Sequence, residues 1–174
     1  MPRFRNIGEA TTAFGYGEII DYNSLRHGAG KTTTGHIVWL PIMYELDGNW
    51  YNLYNDTNVI KGKNELIIQI PNSKTAFKEW NEDTLVKTPC HVIARTRFDE
   101  NIYNYDYIGE FCDILHDSQK HITIRAKINT PTAIGKELNG DYLMWVSGFA
   151  SSEAEARKQM DKLFGQTLKV LRGV

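Results

Sequence analysis

Two segments alternate apolar and polar residues, and a period of two is satisfied only by an extended strand. In His121–Ile128, residues Ile122, Ile124, Ala126 and Ile128 share one face, and His121, Thr123, Arg125 and Lys127 share the other. Cys90–Phe98 repeats the arrangement, with Val92, Ala94, Thr96 and Phe98 opposite His91, Ile93, Arg95 and Arg97. Between these two lies Ile102–Ile114, with Tyr103, Tyr105 and Tyr107 on one face and a bend expected at Gly109. Further strand-like stretches cover Gly17–Tyr22, His36–Leu46, Trp50–Tyr54, Asn64–Ile70 and Tyr142–Phe149. Asp47-Gly48-Asn49 joins two of them and predicts a tight hairpin, a type I′ turn with positive φ at both centres.

Helical signals are fewer. Ser152-Glu153-Ala154-Glu155 is a capping box, and Ala156, Met160, Leu163, Thr167 and Leu171 follow on one stripe. Ala76, Phe77 and Trp80 support a short helix over Lys74–Asn81, capped at Asn72-Ser73. Residues 1–34 read as a Gly/Thr-rich N-terminal arm with loops, and residues 35–174 as a single β-rich domain with the C-terminal helix. The fold expected is therefore α+β: a curved antiparallel sheet or partly open β-barrel of about six to eight strands, OB-like as one form, covered by that helix.

Composition sets outer limits. The chain has 174 residues, 41% of them hydrophobic, which suffices for a core without staples. Lys and Arg number 20 against 21 Asp and Glu, so any electrostatic footprint must come from arrangement and not from total charge. Cys90 and Cys112 lie in no CxxC or Cys/His ligand spacing and read as buried thiols in a reducing cytoplasm. MPRFRNIGEA carries no apolar run behind its arginines, so no secretory signal is expected. The longest apolar stretch, His36–Leu46, contains Pro41 and Glu45 and falls short of the ~20 residues of a membrane span. Trp39, Trp50, Trp80 and Trp145 read as core anchors.

If the three central strands form a meander, Arg95, Arg97, Arg125 and Lys127 share a sheet surface with Tyr103, Tyr105 and Tyr107. That is the equipment single-stranded nucleic acid requires, since bases stack on aromatic rings while cations neutralise phosphates. Lys61 and Lys63, in the loop Lys61-Gly62-Lys63, extend the surface, and Arg3 and Arg5 supply a basic arm. The leading expectation is a non-enzymatic module that binds single-stranded nucleic acid, such as single-stranded DNA, with no cofactor, no metal and no membrane. The alternative is an assembly protein that forms a homo-oligomer through its N-terminal arm and strand edges.

Catalytic motifs are sparse. Gly28-Ala29-Gly30-Lys31-Thr32 invites comparison with a phosphate-binding loop, but Leu25 stands where the first glycine belongs and a strand follows where a helix is needed. His116 and His121, with Asp113 and Asp117, lack any metal-site spacing and read as a strand-to-strand loop. His121-Ile122-Thr123 resembles one half of the paired His-x-Thr/Ser motif of the 2H phosphoesterases. That resemblance implies a small phosphodiesterase in which His121 and a second histidine share acid and base roles. The other histidine triplets, His36-Ile37-Val38 and His91-Val92-Ile93, lack the hydroxyl at the third place.

Overall fold

The structure is a computed structural model that describes residues 2–21, 29–55, 65–72, 89–117 and 122–127, together with residues 152, 154, 155 and 158. In chain order the elements are β1 (Arg3–Phe4), α1 (Ile7–Ala13), β2 (Ile19–Asp21), β3 (Gly30–Thr32), β4 (Ile37–Trp39), β5 (Leu46–Asp47), β6 (Trp50–Asn55), β7 (Leu66–Pro71), β8 (Cys90–Asp99), β9 (Ile102–Asp117) and β10 (Ile122–Lys127). The described residues are thus mostly sheet with a short helix, within the α+β class. The chain divides into two compact units, Met1–Met43 with Val86–Cys112, and Tyr44–Leu85 with Asp113–Val174.

In the first unit the strand order is β2-β3-β4-β8-β9, and β1 also pairs with β9. The ladders there are antiparallel except β4 with β8, where Val38 meets His91 and Trp39 meets Val92 in parallel, an arrangement that the Ile42–Arg95 bridge continues. This departs from the antiparallel sheet expected. Parallel neighbours require a long crossover, and β4 and β8 stand far apart in the chain. The single strand expected over His36–Leu46 is also broken, because Pro41 has no N–H to give a ladder. Its carbonyl instead accepts from the Arg95 N–H at 2.8 Å.

The β8–β9 ladder runs from Asp99 opposite Ile102 to Cys90 opposite Phe111, with a register shift between Val92 and Ile93. There Gly109 adopts φ 123°, so the bend expected at this glycine is a β-bulge.

Residues 1–34 contain a helix that strand periodicity did not reveal. Asn6 caps α1, its side chain accepting from the Glu9 N–H at 2.9 Å, while Glu9 Oε2 accepts from the Arg5 N–H at 3.2 Å. The helix is stopped by Gly15 at φ 86°, where the N–H of Tyr16 reaches the Thr11 carbonyl and that of Gly15 the Thr12 carbonyl. Ala10 of α1 packs with Val38, Leu40, Ile93 and Tyr105, and Phe4, Ile7, Phe14, Tyr16, Ile19 and Tyr103 surround that cluster. Each fully buried large side chain there contributes roughly 1.5–3 kcal/mol.

In the second unit the order is β10-β7-β6-β5. Leu46 opposite Tyr51 and Asp47 opposite Trp50 leave Gly48-Asn49 as the loop of the expected hairpin. Gly48 has φ 59°, but Tyr44 is the only described non-glycine residue with positive φ, so the turn follows the II′ pattern and not I′. Strand β7 is buried at every position. Near the C-terminus, Ser152 Oγ accepts from the Glu155 N–H at 3.2 Å, and Ala154, Glu155 and Lys158 are helical. The expected strand Tyr142–Phe149 and helix Lys74–Asn81 lie outside the described residues.

Candidate functional site

The cross-strand register decides which expected site residues share a surface. Arg97 lies opposite Tyr103, Arg95 opposite Tyr105, and Ile93 opposite Tyr107, so these arginines and tyrosines occupy one face of the first unit's sheet. The middle of that face is covered by the N-terminal segment. Tyr105 is 1% exposed with Phe4 edge-on at 5.3 Å, which makes it a core ring and not a stacking platform. Arg95 is half-buried and donates from Nε to the Leu40 carbonyl at 2.7 Å.

The other expected cations divide differently. Arg125 belongs to the second unit and is 4% exposed, ion-paired to Asp113 at 3.3 Å. Its outward placement is therefore corrected: β10 buries Ile122, Thr123, Ile124 and Arg125 alike, so alternation there does not separate core from solvent. Lys127, also in the second unit, pairs with Glu65. Lys61, Lys63 and His121 lie outside the described residues.

Among the described residues, the covering leaves the two ends of the β8–β9 hairpin open. At the β8–β9 turn, Arg97 is exposed and donates to the Tyr103 hydroxyl at 2.8 Å, with its guanidinium 5.0 Å from that ring. On the reverse side of the same turn, the side to which Asn104 points, the Arg3 guanidinium sits 3.5 Å over the ring of Phe98, which is 50% exposed. Arg3 is held there by β1, through its pairing with Asn104 and a 3.1 Å bond from Nε to the Asn104 side chain. Arg5 follows, also exposed.

At the opposite end Tyr16, His36, His91 and Tyr107 converge. The ring centroids of the two histidines are 5.3 Å apart, and Tyr16 lies 4.8 Å from His91 and 5.1 Å from His36. Three local devices deliver these groups. The glycine stop after α1 turns Tyr16 onto the sheet, the β3–β4 turn carries Thr34 and His36, and the parallel pairing sets His91 beside β4. Gly17 permits the close approach, since a Cβ there would come 2.1 Å from Thr33 Oγ1 at φ +77°.

The hydrogen bonds fix one tautomer. Thr34 Oγ1 gives its single proton to the Tyr16 carbonyl at 2.6 Å, so toward His36 Nδ1, at 2.8 Å, it can only accept. His36 therefore carries a proton on Nδ1. Around His91 Nδ1 stand the Tyr107 hydroxyl at 2.9 Å, the Tyr16 hydroxyl at 3.4 Å and the Glu110 carboxylate at 3.6 Å. Burial pushes the Tyr107 hydroxyl well above the usual phenol range, reinforced by its hydrogen bond with Tyr16. Among the described residues, no group of three or more His, Cys, Asp or Glu is arranged to hold a metal ion.

Burial holds His91 below the ordinary value of 6.5, with Glu110 opposing and the neighbouring His36 adding to the depression. The unfolded chain therefore takes up this proton first. Stability from His91 is complete above about pH 6.5 and is lost as the pH falls toward its folded value. His91→Gln is expected to flatten that slope in urea titrations below pH 6.5; an unchanged slope would place the acid sensitivity elsewhere.

The pattern reading missed the Tyr16/His36/His91/Tyr107 cluster because its members come from three separated segments. The recoverable signal was the Asn6-x-x-Glu9 cap followed by Gly15, which marks a short helix and places Tyr16 just beyond it. No known family model matches the chain, and no curated protein matches it.

Proposed function

We propose that the first unit binds single-stranded nucleic acid at the tip of the β8–β9 hairpin, Arg3, Arg5 and Arg97 contacting phosphates while Phe98 and Tyr103 stack on bases. The observation that carries this is the Arg3 guanidinium 3.5 Å over a half-exposed Phe98 ring, with Arg97 against Tyr103 on the other face of the same hairpin tip. A large ring left half in water loses apolar burial, and a base laid on it restores about 1–3 kcal/mol. An OB-like curl of the strands and a C-terminal helix continuing from Ser152 belong to this proposal. So does a cytoplasmic setting in which the Cys90 and Cys112 thiols stay reduced.

Because the chain is nearly neutral overall, affinity must come from this local cluster and must be sensitive to salt. Three phosphate contacts on a single strand give a log–log salt slope of about −2. Fluorescence anisotropy with a labelled single-stranded oligonucleotide is expected to show that slope. Arg3→Ala with Arg97→Ala should reduce its magnitude by about 1.4, and Phe98→Ala should weaken binding roughly 5- to 150-fold. Absence of binding at low salt removes the proposal.

A further inference from the structure

Resting on that binding reading, we infer that His36 and His91 form an acid–base pair that cleaves single-stranded RNA by internal transesterification, on the sheet face shared with the proposed binding residues Arg97 and Tyr103. Both rings are tethered through Nδ1, to Thr34 and to the Tyr107–Glu110 side, and neither Nε2 takes a hydrogen bond from a described residue. His36 is exposed and the His91 side chain is 18% exposed, so the two differ in contact with water. That difference separates their roles. The drier imidazole, held neutral by burial, serves as base, and the wetter one serves as acid.

RNA suits such a pair because it supplies its own nucleophile. The 2′-hydroxyl proton passes to His91 Nε2 as the 2′-oxygen bonds to phosphorus. The phosphorus–O5′ bond breaks with its electron pair on the 5′-oxygen, which takes a proton from His36 Nε2. The products are a 2′,3′-cyclic phosphate and a 5′-hydroxyl end. Proton exchange with water then returns both imidazoles to their starting states. Tyr107 and Glu110 position the base, and Thr34 positions the acid. The titratable groups facing the pair are Tyr16 from the segment after α1, His36 from the β3–β4 turn, Cys90 and His91 from β8, and Tyr107 and Glu110 from β9.

The test incubates the full chain with a labelled single-stranded RNA and with the DNA of the same sequence, following binding by anisotropy and products by end-group analysis. Expected are cyclic-phosphate ends from RNA alone, a bell-shaped pH–rate profile, and bound but intact DNA. His36→Gln and His91→Gln should each lower the rate by about 100-fold or more with thermal unfolding still cooperative. Thr34→Val, at an exposed turn, should lower the rate and shift the limb of the profile set by the acid. RNA that is bound but left intact overturns the cleavage inference and leaves the binding reading standing. Cleavage that persists in both histidine variants overturns it as well. If neither RNA nor DNA binds and no product forms, both proposals fall together.

Discussion

Asp113→Ala is expected to destabilise the second unit by about 3–5 kcal/mol, the largest effect of any single substitution considered for this chain. Asp113 lies 3.3 Å from Arg125, and both side chains are only 5% exposed. Removing the carboxylate leaves a guanidinium that can neither reach water nor release its proton. Arg125 also donates to Gln69 Oε1 at 3.1 Å, and Gln69 stands in register with Asn52 on one side and Thr123 on the other. The charge pair thus anchors a row of buried polar groups, each 3% exposed or less. Urea denaturation measures the cost. Asp113→Leu combined with Arg125→Met should recover most of it, since an apolar pair of similar volume leaves no orphan charge. A single variant as stable as the parent would mean that the pair is solvated.

The second large effect concerns the N-terminal segment. A chain lacking residues 1–16 is expected to lose the cooperative unfolding of its first unit, with amide protection in β4 and β8 collapsing in hydrogen exchange. The deletion removes Phe4, Ile7, Ala10 and Phe14 together and uncovers Val38, Leu40, Ile93 and Tyr105. Loss of one such side chain from a core costs about 2–5 kcal/mol, and here a whole layer goes. An arm that orders only on assembly behaves otherwise, for its removal abolishes an oligomer and leaves protection in β4 and β8 intact. The two outcomes are separated by hydrogen exchange and sedimentation on the same sample.

What the sequence made legible was local. Alternation located β8 and β10, Asp47-Gly48-Asn49 located a hairpin, and Gly109 located a bulge, because each depends on neighbouring residues alone. Helix α1 was obscured because Gly8, Thr11 and Thr12 are poor helix formers, and its capping residues carry the signal instead. On β10, alternation misassigned Arg125, since a strand buried on both faces can place a paired charge where a solvent-facing residue is expected. The arginine–tyrosine face was legible as a face, but not its covering, because Phe4 and Ala10, which pack over Tyr105, lie far from it in the sequence. His36 and His91 met through a parallel pairing that nothing in their own neighbourhoods encodes.

That parallel pairing also governs the order in which the molecule can be made. During synthesis Ile37–Trp39 leaves the ribosome well before its partner Cys90–Asp99, so the edge of β4 must wait for the intervening chain to be translated. The nascent N-terminal half therefore emerges as an incomplete template, and the histidine pair comes into existence only when a late segment closes onto an early one.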